Sequence, residues 1–470
     1  MLRPGGRRRR GIASLVAGIL GAQGCGSDLG FAPKLPPEVL SAVAASSARN
    51  VLALLVTVEA GGADSVCVLY APAGDPRVAA TPATRADGGP VLVPVLGLRA
   101  ETEYELSVVA AGAGGSIHHE LPVAVTGSLP VDLPAYVAGG ADPSAGYVVF
   151  AAGRYGLAID SDGRVVWYRA FPDGPGLNFQ AQSNGRYYAR PPPSEPGTPA
   201  RWVEIDPTGE QTRSFGCARG LQPRFHDIIV ESDGGYWIMC DETRTMDLSG
   251  YGGVVAAAVT GTVVQHMSAE ERLLFEWSPF GQLAVTDLAA PARLGPTVNW
   301  THGNALTRDV DGNLLVSFRS LDEITKIDVV RGSVLWRMGG SRSQFAFEGP
   351  SGAGFARQHG VRVTGPGELT LLDNSGDPSA SRVERYVYEP ATGKARLVAS
   401  HAPAAAVIAQ LGGTTQALPG GRVLVAYGDG ARVQEYDASG SVVWEIEGSA
   451  GYVFRAERVA SLYDPVPLAP

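Results

Sequence analysis

The sequence predicts an all-β chain, a six-bladed β-propeller preceded by a β-sandwich. Three observations carry this. With 61 Gly and 34 Pro in 470 residues, turns are frequent and long helices have little room. From about 145 to 448 a strand–turn–strand unit returns six times. The copies 158–167, 326–336 and 435–444 have an Asp and a Gly around the turn and end in Trp, whereas 203–210, 274–281 and 387–394 are weaker. Each copy also has an upstream partner strand, at 146–150, 185–188, 235–238, 312–316, 367–371 and 421–425. One unit of short antiparallel strands repeated six times is the signature of a propeller. A double sandwich has no reason to repeat the Asp-Gly-Trp hairpin.

In chain order, residues 1–25 read as a signal peptide. Arg7 to Arg10 form the charged region, 11–20 the short apolar region, and small residues precede Cys25. Two forms stay open: a lipoprotein site with Cys25 lipidated, or a plain signal peptide cut nearby. Either implies export to the periplasm or cell envelope. Residues 26–47 read as a linker and 48–130 as the sandwich, with strands at 51–58, 66–70, 91–96 and 104–109. Residues 95–108, with Tyr104, resemble the tyrosine corner and following strand of a fibronectin type III domain. His118 and His119 read as surface residues in a loop. Residues 140–465 form the propeller, expected to be the catalytic domain, with a long insertion in the third copy around 243–270.

A net charge of −9 argues against a nucleic-acid partner, which needs a basic face. No apolar run reaches the roughly 18 residues of a membrane span, so membrane contact is expected only through a lipid at Cys25. After Cys25, the odd count of Cys67, Cys217 and Cys240 is no disulfide framework. Cys217 and Cys240 can pair in an oxidising compartment; Cys67 reads as a buried small hydrophobe.

Three of the seven histidines open matched segments. His226 precedes the strand at 235, His302 the strand at 312, and His359 the strand at 367. In a propeller the first strand of each blade runs along the axis, so residues at its start converge at the channel mouth. Asn304, two residues after His302, faces the same side of an extended strand. Arg319 ends the strand that pairs with it, where its guanidinium fork suits an oxyanion; the alternative is a structural pair with Asp322. His266 and His401 fall out of this register and read as surface or loop packing.

These residues resemble a family. The segments from Trp300 to Asn304, Ser317 to Arg319, Ile327-Asp328 with Gly332, Trp336 to Gly340, Gln358-His359 and Leu372 to Asn374 look like the bacterial arylsulfate sulfotransferases. The resemblance implies a periplasmic six-bladed propeller with an N-terminal sandwich, needing no nucleotide sulfate donor, cofactor or metal. It implies a transiently sulfated His359 and places His302, Asn304, Arg319 and His226 at the family's other motif positions; by their chemistry His302 suits an acid and base, and His226, Asn304 and Arg319 suit holding the sulfuryl oxygens. The partners it implies are an aryl sulfate donor and a phenolic acceptor. The family's short disulfide near the nucleophile has no counterpart here. Two rival readings stay open: a metal-dependent hydrolase or lactonase using the three His, with Asp227 and Asp373 as added ligands, and a non-catalytic, lipid-anchored binding propeller.

Overall fold

The computed structural model describes residues 35–193, 195–349, 354–376 and 379–470; the stretch 1–25 expected to be a signal peptide, with Cys25, lies outside them. The chain is all-β. Among the described residues the only helical turns are short 3-10 segments, and the strands form eight sheets.

Two sheets come from the N-terminal part. Glu38–Ser46, Leu54–Gly61 and Val91–Val95 form one; Ser65–Pro72, Glu103–Gly112 and Gly115–Glu120, with short additions, form the other. Alternating residues such as Val56, Val58, Val66 and Val68 point inward and share one apolar cluster. The Tyr104 hydroxyl accepts from the Arg99 N–H (2.9 Å), bracing the turn before its own strand. The linker read over 26–47 is corrected here, because Glu38–Ser46 pairs along Leu54–Gly61. Its Ala-rich, mostly exposed edge strand lacks a hydrophobic alternation that marks it as a strand. His118 and His119 are exposed, but on the edge strand Gly115–Glu120 rather than in a loop. Cys67 is only half-buried, on the outer face of Ser65–Pro72, where partial burial pushes its thiol up.

Six further sheets follow, each with a core of four antiparallel strands. The second sheet, for example, runs Phe179–Gln182, Arg186–Ala189, Trp202–Ile205, Gln211–Phe215. The first differs: Tyr147–Ala152, Tyr155–Ile159 and Val165–Ala170 are completed by the C-terminal strand Ala456–Val459. Apolar clusters lie between successive sheets, and one containing Val148, Phe150, Leu424 and Trp444 joins the sixth sheet to the first. The recurring Trp has a role in this stacking. Trp167 Nε1–H donates to the Pro207 carbonyl (2.8 Å) and Trp444 Nε1–H to the Ser161 carbonyl (2.8 Å), each in a turn of the next sheet. A buried indole thereby satisfies its one polar atom while locking neighbouring sheets together.

The third sheet departs from the sequence reading. Residues 274–281 are not its strand–turn–strand unit: Leu273–Trp277 is the fourth, outer strand, and the third is Ala257–Met267. The insertion at 243–270 is largely a long hairpin, paired from Tyr236 with Met267 to Met246 with Ala257. His266 and His401 also sit in strands, not loops. His266 stacks on Trp237 (4.2 Å between centroids) and bonds Glu231 (2.9 Å), and His401 stacks on Tyr436 (5.6 Å).

Candidate active site

The first strands of successive sheets lie side by side: Gln222–Val230, Gly303–Arg308, His359–Gly365, Thr414–Leu418 and Ala456–Val459. At three of them the ladder to the second strand is broken. It skips from Pro223 to Ile228, from Gly303 to Ala305 and from His359 to Arg362. Such bulges turn side chains out of the pleat: His226 falls inside the first break, Asn304 is the residue skipped at the second, just after His302, and His359 borders the third. The His226 ring is 5.2 Å from His302 and 6.4 Å from His359, centroid to centroid. Phe454 stands edge-on to His226 (5.5 Å) and His359 (6.4 Å).

The glycine after each of two histidines makes this convergence possible. A Cβ on Gly303 would lie 2.6 Å from the Thr262 methyl; one on Gly360, whose φ is +59°, would lie 2.5 Å from the Thr414 Cα. Backbone cannot move aside as a side chain can. Gly360→Ala is therefore expected to cost about 1–3 kcal/mol of stability, read as a lower urea midpoint, with Gly365→Ala, which meets open space, as the mild control.

His359 is buried, and its Nδ1–H donates to Asn374 Oδ1 (2.8 Å). Asn374 cannot turn over, because its Nδ2 donates to the carbonyls of Ala409 (2.9 Å) and Gly412 (3.0 Å). The proton is thus fixed on Nδ1, leaving the Nε2 lone pair free. His302 is half-buried in a left-handed conformation, with φ +48°. Asn299 Nδ2–H donates to its Nδ1 (2.6 Å), and its carbonyl accepts from the Arg319 N–H (3.0 Å). His226 is buried with no partner on Nδ1, and its carbonyl accepts from Asn178 and Arg455.

Arg319 lies beside His302 across the hairpin. Its Nη2–H donates to the Gln410 carbonyl (3.1 Å), while its buried Nε has no partner. The Asp322 pairing is not formed: among the described residues no carboxylate lies within ion-pair distance of Arg319, and Asp322 accepts the Arg357 N–H. Asn304 donates one N–H to the Gln358 carbonyl (2.7 Å), tying down the residue before His359; its buried Oδ1 has no partner.

All three imidazoles are held neutral. Burial, then Arg224, then the other two histidines push His226 well below its ordinary value. Burial, Arg224 and Arg319 lower His302 to about 2. His359 falls to about 4 through burial, with the Asn374 bond opposing and Arg319 adding to the shift. An imidazole cluster facing an unpaired guanidinium is a place for an anion. The two carboxylates considered as metal ligands are otherwise engaged. Asp227 pairs with Arg362 (2.9 Å) and Arg455 (3.1 Å), and Asp373 caps the backbone N–H groups of Ala356 and Gly376. Among the described residues no group of three or more His, Cys, Asp or Glu is placed to hold a metal ion.

Asn374, Asn299, Phe454 and Arg455 had no role in the sequence reading. Asn374 was within reach, since it closes the Leu372–Asn374 segment. Phe454 and Arg455 belong to the closing strand region, beyond the repeat at 145–448.

The fold is that of an all-β protein in which three histidines and an arginine are gathered together. Residues 221–449 match the family model described as Arylsulfotransferase (ASST), and the match includes His226, His302, Asn304, Arg319 and His359. Over this stretch the chain is similar to the arylsulfotransferases, and the match supports aryl sulfotransferase activity in general. No curated protein matches the chain. Among solved structures, a protein of unknown function from Bacteroides caccae is 12% identical with TM-score 0.42, covering 67% of this chain and 98% of its own. A streptogramin B lyase is 13% identical with TM-score 0.38, covering 68% and 85%. Virginiamycin B lyase from Staphylococcus aureus is 12% identical with TM-score 0.34, covering 75% and 93%. Similarity at this level assigns no activity.

Proposed function

We propose that this protein transfers a sulfuryl group from an aryl sulfate to a phenol through a sulfohistidine at His359. The observation that carries the reading is the locked Asn374 amide, which pins the His359 proton on Nδ1 and leaves Nε2 as the nucleophile. In the first half, Nε2 attacks sulfur and the bond from sulfur to the aryl oxygen breaks. Arg319, His226 and the second N–H of Asn304 hold the sulfuryl oxygens as charge moves to the leaving oxygen.

His302 handles the proton. Burial, Arg224 and Arg319 favour its neutral form; a sulfate anion beside it favours its protonated form. Its Nε2–H then passes to the departing phenolate, and the freed Nε2 takes the proton of the acceptor phenol. The acceptor oxygen attacks sulfur, the N–S bond breaks, and His359 returns to its starting form. Asn299 makes no other side-chain hydrogen bond among the described residues, so its amide can turn to accept the imidazolium Nδ1–H. The ion pairs of Asp227 and the cation at Arg319 weigh against the metal-dependent reading, because a cation beside a metal is repelled.

The same reading takes the six sheets as the blades of a propeller closed by Ala456–Val459, and the N-terminal pair of sheets as a fibronectin-III-like sandwich braced at Tyr104. It takes residues 1–25 as an export signal, with Cys25 as a lipid attachment point. The Cys217–Cys240 disulfide fits an oxidising compartment.

Incubation with 4-nitrophenyl sulfate tests the function. Nitrophenolate release is expected to rise with added phenol, with phenyl sulfate as the second product. Release that ignores the acceptor, or no release across varied donors, contradicts transfer. The pH profile has a defined sign. His359 must be neutral to attack, and its value is depressed to about 4, so kcat/KM is expected to fall as pH drops through about 4. Stability moves the same way: below the ordinary value of 6.5 the unfolded chain takes up a proton that the folded His359 refuses until about 4. The urea midpoint is therefore expected to decline from pH 6.5 toward 4.

A further inference from the structure

A second group of arginines approaches the histidines at His226. Phe179 pairs with Ala189 as Gly303 pairs with Phe318, so Arg190 occupies in the second sheet the position that Arg319 occupies in the fourth. Both are half-buried, and both have a buried Nε without a partner. Among the described residues Arg190 has no ion pair; its guanidinium lies 5.8 Å from the Phe225 ring, near the outer limit of about 6 Å for a cation–π contact. Phe225 stacks on His226 at 4.0 Å, which puts Arg190 one ring away from the histidine cluster.

Arg224 adds a second guanidinium. It is buried and pairs with Asp241, yet its Nε has no partner. Two arginines against one carboxylate leave one positive charge unanswered. Arg224 and Asp241 line a cavity of about 370 Å³ that also touches Thr260, Thr297 and Asn299. Asn299 is the residue bonded to His302. The cavity therefore spans from the residue that holds His302 to Arg224. Leaving a desolvated cation unpaired is costly unless an anion arrives to meet it. Burial and Arg224 pull Arg190 down while Asp241 pulls it up, so it feels both members of the pair.

We propose that the pocket takes aromatic ligands bearing a second anion, a carboxylate on an arm from the ring, held by Arg190 beside Arg224 while the ring oxygen sits at His302. This rests on the sulfotransfer reading for its chemistry and narrows the substrate class. A planar carboxylate matches the guanidinium fork.

Calorimetric titration of the whole protein tests it, using 4-hydroxybenzoate, 4-hydroxyphenylacetate and 3-(4-hydroxyphenyl)propanoate, each against its own amide. The acid and its amide share ring and arm, and differ in charge. At the arm length that fits, the acid is expected to bind about tenfold tighter than its amide, and Arg190→Gln is expected to level the two. Equal affinity of acid and amide at every arm length in the unaltered protein overturns the proposal. So does an advantage that survives Arg190→Gln. As acceptors from 4-nitrophenyl sulfate, the acids are expected to show the same ratio in kcat/KM. A protein that prefers the acids through Arg190 but releases no nitrophenolate keeps this site and loses the sulfotransfer reading, so the two failures are told apart.

Discussion

Replacing His359 by Ala is expected to lower kcat by about a thousandfold or more, and to abolish release of the first phenol as well as formation of the second product. Both halves fail because Nε2 is the atom that receives the sulfuryl group and later gives it up; positioning and charge stabilisation remain but have nothing to act with. The fold is expected to survive. His359 is buried among Phe454 and the other imidazoles, and its loss strands the Asn374 Oδ1, a cost of about 1–3 kcal/mol. Asn374 keeps both of its carbonyl partners, so the 409–412 segment stays tied. Near-ultraviolet circular dichroism checks the fold, and free imidazole added to the variant is expected to restore a measurable rate by entering the vacated space. A variant that still releases the first phenol at the original rate places the nucleophile elsewhere.

The second large effect depends on the leaving group. His302 has φ +48°, where Asn is among the few residues that sit without much strain, so His302→Asn is the substitution that spares the backbone. With phenyl sulfate as donor the variant is expected to lose on the order of 10²- to 10⁴-fold in kcat, the scale of a removed general acid. With 4-nitrophenyl sulfate the loss is expected to be much smaller, because nitrophenolate leaves without a proton. Plotting rate against leaving-group pKa for both proteins gives the answer: the variant's slope is expected to be steeper. Parallel slopes mean that His302 only shapes the pocket.

Much of this arrangement was legible in the chain, and the reasons are specific. The hairpins at 158–167, 326–336 and 435–444 stood out because the turn needs Asp and Gly, and because the Trp that ends each strand has a job in the next sheet, as Trp167 and Trp444 show. The three histidines stood out because each comes at a similar distance ahead of a Gly-containing turn and the second strand of its repeat. The third sheet hid its true third strand. Ala257–Met267 is part of an unusually long hairpin, and Trp277 on the fourth strand imitated the ending expected of another copy. Glu38–Ser46 hid for the opposite reason: an edge strand of small residues buries too little to need an alternating pattern. The closing strand, which brings Phe454 and Arg455 to the site, has no hairpin of its own and pairs with Tyr147–Ala152, some three hundred positions upstream in the chain. Arg190 shows the same limit. Its match to Arg319 depends on strand register, which the sequence between 178 and 190 does not display.

The most direct measurement is the mass of the intact protein, quenched after exposure to an aryl sulfate without acceptor. The account predicts a gain of one sulfuryl group, mapped by fragmentation to His359, absent from His359→Ala and discharged when phenol is added. An unmodified mass while phenol is still being released, or a sulfuryl group on any other residue, contradicts it.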